Sequence, residues 1–189
     1  MKNKYDLPYL QEIYQELLKG RHISFSEGKL FFALQNDLQS YADLFECLGF
    51  ELVAHPKEFY YLKKHGKSLN NQIKQMLLFV FVLIDDLDRK EADLEAALFD
   101  NSILIETLPH FKTEKYKDYM KEVGVEDEQK LFSIIETLQK YGFLTTLGKV
   151  SFQFKTPVYR LLDLCTTVLK DSEEQEILAR GDEDEYRAN

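Results

Sequence analysis

The chain has 189 residues, enough for one domain or two small ones. Hydrophobic residues make up 44% and charged residues 30%, which predicts a globular core and excludes global disorder. The net charge of −9 is uneven: residues 171–189 hold eight acidic and two basic residues, while residues 1–170 are near balance at −3. A free DNA reader is usually basic, so strong autonomous DNA binding is not expected of such a chain. With 14 Phe, 11 Tyr and no Trp, the core should be built from rings, with some left over for surfaces.

In chain order, Leu10, Ile13, Tyr14, Leu17 and Leu18 recur at helical spacing between Pro8 and Gly20. "RHISF" reads as a short extended link. One long helical region is expected over "KLFFALQNDLQSYADLFECLGF", with Leu30, Phe31, Leu34, Leu38, Tyr41, Leu44, Phe45 and Leu48 on one face and Gly49 as its C-cap. Alternation then predicts a hairpin: Phe50, Leu52 and Ala54, a turn at "HPKE", and a return strand at "FYYLKK".

The polar break "HGKSLNN" (65–71) is the best linker candidate. "NQIKQMLLFVFVLIDDLDR" reads as a helix apolar almost all round its middle, hence buried. Its longest apolar run, nine residues, is under half a membrane span. "EADLEAALFD" predicts another helix, and "TLPHFKTEKYKDYMKEVGV" a mixed stretch with a polar face. Leu131, Ile134, Ile135, Leu138 and Tyr141 mark the next strong helix. Gly142 caps it, and "FLTTLGKVSFQF" alternates as a second hairpin. "TPVYRLLDLCTTVLK" is a last helix, with Pro157 in its first turn.

The two hairpin units align at an offset of 93: Phe45, Leu48, Gly49 and Phe50 against Leu138, Tyr141, Gly142 and Phe143. Helices ending in a two-stranded wing describe a winged helix. The expected fold is therefore mainly α with short β-hairpins, as tandem winged-helix domains over 1–68 and 69–170, followed by a flexible acidic tail over 171–189.

Catalytic patterns are weak. His22, His55, His65 and His110 are scattered, although His22 and His55 could meet across the first wing. There is no HExxH, Walker, GxGxxG or GxSxG pattern, so neither an enzyme nor a cofactor is expected. Cys47 and Cys165 sit in apolar helical contexts and read as buried free thiols. The opening "MKNKYDLPYLQEIY" has no apolar signal region, which predicts a cytoplasmic protein and no membrane partner.

Basic positions in the second unit are better placed for phosphate. Lys130 and Lys140 lie on its reading helix, Lys149 and Lys155 on its wing, and Arg160 just beyond. All five are equally readable as ordinary surface charge. The reading helix also carries acids and makes a poor base reader. The rings of "FFALQ", "MLLFVFVLI" and "EFYYL" exceed what two small domains readily hide, which predicts a partner surface.

"LLKGRHISF", the long aromatic helix and "LGFELVAHPKEFYYLKK" resemble the N-terminal part of the MukE/MksE family of bacterial condensin accessory subunits. "KLFSIIETLQKYGFLTTLGKVSFQFKTPVYRLLDL" is similar to the family's second winged helix, and "DSEEQEILARGDE" to its acidic C-terminal stretch. The shorter middle favours the MksE branch. The resemblance implies a non-enzymatic, nucleoid-associated homodimer that binds a kleisin subunit and, through it, an SMC ATPase. It implies a role in DNA entrapment during chromosome condensation and segregation, or in a related plasmid-defence complex. Against it stands a free-standing winged-helix regulator. Phe59 and Tyr61 are the kleisin-contact candidates, and they read equally as core. DNA contact is expected to be weak and non-specific, because "FSIIETLQK" lacks the arginines of MukE.

Overall fold

The computed structural model describes residues 7–63, 70–90 and 93–167. Most of the 65–71 break and the whole of the acidic 171–189 tail lie outside them.

Helix α1 (Leu10–Leu18) buries Ile13 and Leu17, one turn apart. Strand β1 (Ile23–Ser24) follows, then a 3₁₀ turn (Phe25–Glu27). The "RHISF" link is thus more than a connection, since β1 forms the third strand of a sheet. The expected long helix is two: α2 (Lys29–Asn36) and α3 (Leu38–Cys47). The break is Asp37, at φ −144° and ψ 52°, whose carboxylate accepts the Ser40 backbone N–H at 3.4 Å. A short acceptor side chain there gives the backbone an alternative to the helical bond. The apolar phase runs on across the break, which is why the sequence reads as continuous.

Strands β2 (Glu51–His55) and β3 (Phe59–Lys63) complete a sheet of order β1-β3-β2, with Ile23 opposite Tyr60 and Val53 opposite Tyr61. The second unit repeats this order. Helix α4 (Asn71–Arg89) precedes a π-helical turn (Ala96–Asp100), where a longer α-helix was expected. Then come β4 (Ile103–Leu104), a 3₁₀ turn (Ile105–Thr107), α5 (Glu114–Glu122), α6 (Glu128–Lys140), β5 (Leu144–Leu147) and β6 (Ser151–Phe154). Its sheet has order β4-β6-β5, antiparallel throughout. A last helix, α7, is described over 158–167. Helices feeding three-stranded sheets, each ending in a hairpin, make the fold mainly α with short hairpins in two winged-helix-like units.

Two apolar cores result. One gathers Ile13, Leu17, Leu34, Tyr41 and Phe45, the other Phe79, Ile135, Leu138, Phe152 and Val158. The surplus of rings divides by segment. Phe59, Tyr60 and Leu62 of "EFYYL" are hidden, whereas Phe32 and Phe81 emerge beside buried Phe31 and Phe79. Phe25 is the most exposed ring among the described residues, at 66%. Cys47 departs from expectation: it is exposed at the end of α3, beyond the stripe that enters the core. Cys165 is half-buried, and burial pushes its thiol up from its ordinary range.

Ile135 is fully buried on α6. Ile135→Ala should cost about 2–5 kcal/mol in urea unfolding with an unchanged m-value, as expected for a cavity in a packed core.

Candidate functional site

The chain leaves α1 through Gly20 and α6 through Gly142, both in the left-handed region at φ +82° and +81°. These two corners meet. The His22 backbone N–H donates to the Tyr141 carbonyl at 3.0 Å, and the ring Nδ1 lies 2.8 Å from the same oxygen. A Cβ on Gly142 would stand 2.9 Å from the His22 carbonyl oxygen, closer than real contacts allow. Glycine is therefore required at 142 twice over, for its backbone angle and for the approach of another chain segment. Gly49, at the equivalent position of the first unit, has φ +79° but open space around it.

His22 is fully buried, with its ring centroid 4.4 Å from Phe143 and 5.6 Å from Tyr61. Its Nε2 lies 2.7 Å from Arg160 Nη1. A guanidinium can only donate, so Nε2 accepts and the proton sits on Nδ1, which donates to Tyr141. Desolvation, then the Arg160 charge, push the imidazole down to about 3. Arg160 lies 3.9 Å above the Tyr61 ring, so its charge is met by a π face and a neutral nitrogen. Burial lowers its own affinity for the proton.

Beside this stands an ion pair across the units. Lys155 Nζ lies 2.7 Å from Glu27 Oε1, with side chains only 13% and 11% exposed. Arg21 reaches the same oxygen at 3.5 Å, and Oε2 accepts from Ser24 N–H, Ser24 Oγ and Ser26 Oγ, each at 2.9 Å. Burial alone would raise the Glu27 carboxyl, but Lys155 and Ser24 hold it below its ordinary value. The carboxylate is thus satisfied on both oxygens, the condition for tolerating a buried charge.

The first wing is seated on α7. The Lys57 backbone N–H donates to His55 Nδ1 at 3.1 Å, which leaves the proton on Nε2, 2.8 Å from Asp163 Oδ2. Lys57 Nζ lies 4.4 Å from the Tyr159 ring and 3.6 Å from Glu95, and the Tyr159 hydroxyl donates to Glu95 at 2.7 Å. His22 and His55 do converge, each against Phe59, with their Nε2 atoms turned to Arg160 and Asp163. Among the described residues, no group of three or more His, Cys, Asp or Glu is placed to hold a metal.

The residues singled out from sequence are not gathered in one place. Lys155 and Arg160 lie inside the seam. Lys130 pairs with Glu126 at 3.3 Å near the start of α6, and Lys140 lies 5.8 Å from the Tyr141 ring at its end. These two are ten residues apart, about 15 Å along the helix. Lys149 sits at the tip of the second wing between exposed Leu147 and Val150, with no carboxylate partner among the described residues. Phe59 is 0% exposed and stacks on His55 at 4.2 Å, while Tyr61 is half-covered by Arg160. Phe59 is thus closed off, and Tyr61 is only partly exposed. Sequence reasoning missed Glu27, Tyr141 and Asp163 as seam residues, and a groove of about 690 Å³ beside the second wing, lined by Leu104, Ile105, Phe111, Phe132, Lys149 and Val150. The groove depends on β4, a two-residue strand too short to leave a periodic signal.

His22 binds no proton in the folded chain until about pH 3, whereas an unfolded chain takes one up below about 6.5. The unfolded state then holds more protons, so stability falls with pH across that window by up to about 1.4 kcal/mol per unit. His110, fully buried and lowered to about 4 by desolvation, adds to the loss. Urea midpoints between pH 7 and pH 4 should fall steeply for the native chain and less steeply for His22→Gln. Equal slopes would remove His22 from the account.

The sequence profile described as condensin complex protein MksE matches residues 8–166, a span that takes in both sheets and the seam between them. No curated protein matches the chain. By that match, over most of its length, the chain belongs to the MksE family of condensin complex proteins.

Proposed function

We propose that the chain is a non-catalytic accessory subunit of an SMC complex of the MukBEF/MksBEF type. In this reading it acts as a homodimer that binds the kleisin subunit, reaches the SMC ATPase through it, and assists DNA entrapment at the nucleoid in the cytoplasm. Residues 1–68 and 69–170 are its two winged domains. The observation that carries the reading is a family match running unbroken across both units. The geometry supports a scaffold over a double reading head. The first wing is folded onto α7, and α6 pairs one of its two candidate lysines with a carboxylate.

DNA contact, in this reading, falls to Lys149, with Lys130 and Lys140 as weaker contributors. Lys155 and Arg160 contribute by holding the units together. Among the described residues, the apolar surface offered to the kleisin and to a second copy includes Phe25 and Phe32 on the first unit, and Phe81 and the groove beside the second wing on the second. Among the described residues, no helix is long and apolar enough to cross a membrane.

The purified chain should be dimeric at micromolar concentration by light scattering and should co-purify with a kleisin encoded beside it. A strict monomer indifferent to that kleisin would sink the proposal. Tight, sequence-selective gel shifts by the isolated chain would favour a free-standing regulator instead.

Lys149→Glu should weaken DNA retention by the assembled complex at low salt and reduce the salt slope by about 1, as for the loss of one phosphate contact. Lys155→Glu should act differently. It sets a second carboxylate against buried Glu27 and should cost about 3–5 kcal/mol of stability in denaturant melts.

A further inference from the structure

Two cations of the second unit point the same way, beside a fully buried ring of the first. Phe59 is fully buried yet belongs to neither apolar core; it lies against His22, His55 and Tyr61. Arg160 has no carboxylate partner among the described residues, and its interactions, with His22 Nε2 and the Tyr61 ring, are both with the first unit. Lys155, at the end of β6, is likewise spent on Glu27 of the first unit.

Arg160 and Lys155 are content only while the units are together. Separation would strip Arg160 of its acceptor and its π face and leave Glu27 without its closest cation. A partly desolvated guanidinium facing a neutral acceptor is a poor arrangement unless packing enforces it. The enforcing contact is the pair of corners at Gly20 and Gly142, too close for any side chain at 142.

We propose that the two winged units act as one rigid head, latched across the seam by Arg160 and Lys155, with the first wing held captive against α7. The angle between the units is then a fixed property of the chain. The consequence for ligands is an asymmetry: the second wing is free of the other unit, whereas the first, though exposed at its turn, also serves as a strut.

The test is the distance between the units in the full chain. Spin labels go on the exposed native Cys47 of α3 and on Lys121→Cys of α5, in a Cys165→Ser background diluted with unlabelled protein. Dipolar spectroscopy should give one narrow distance distribution for this parent chain. Gly49→Ala imposes the same left-handed strain on the backbone with nothing to strike, and should leave the width unchanged. Gly142→Ala combined with Arg160→Ala should at least double it. A broad or multi-peaked distribution in the parent chain would overturn the latch. So would a folded double variant, judged by circular dichroism, whose distribution superimposes on the parent. Should the double variant fail to fold, the parent distribution decides alone.

Discussion

His22 Nε2 can accept from Arg160 only while the imidazole is neutral, and burial among rings keeps it so. The other ring nitrogen must then carry the proton, and it is pointed at the Tyr141 carbonyl at the end of α6. One choice of tautomer thereby fixes three things: where Arg160 lies, how the corner after α1 meets the corner after α6, and which face of Tyr61 is covered. The Lys155–Glu27 pair and the seating of the first wing both presuppose that registration.

The charge distribution acquires a different meaning in this setting. Cations that a linear reading groups together by proximity to a wing serve two purposes. Lys155 and Arg160 neutralise or cover groups inside the molecule, while Lys149 faces water at the wing tip among apolar neighbours. Under the proposed function, a body near electrical balance that commits two of its best-placed cations internally keeps little charge for holding DNA unaided. That fits an architectural subunit better than a reader. The alternative use of the winged fold, as a docking module, asks little of surface charge and much of rigidity.

Much of the fold was legible because its signals are local. Glycines after helices, alternation in the hairpins and the 3.6-residue stripe of α6 each reflect a few neighbouring residues. The break at Asp37 was hidden because the apolar stripe ran through it, and the strands β1 and β4 because two residues carry no period. The seam was the least legible part. His22 and Arg160 are 138 residues apart, and Glu27 and Lys155 are 128 apart, so only the tertiary fold can pair them. Phe59 illustrates the difficulty from the other side. Its segment was flagged for an excess of rings, yet Phe59 is spent against His22, His55 and Tyr61 of its own unit.

Those long separations also order events in time. A ribosome delivers roughly 5–20 residues per second, and N-terminal units generally fold first. His55 and Asp163 are 108 residues apart, so the first wing waits roughly 5–20 seconds for the helix it rests on. Throughout that interval His22 and Glu27 stand without Arg160 and Lys155 on a unit that is otherwise complete. The seam is thus also a surface that the nascent protein protects late.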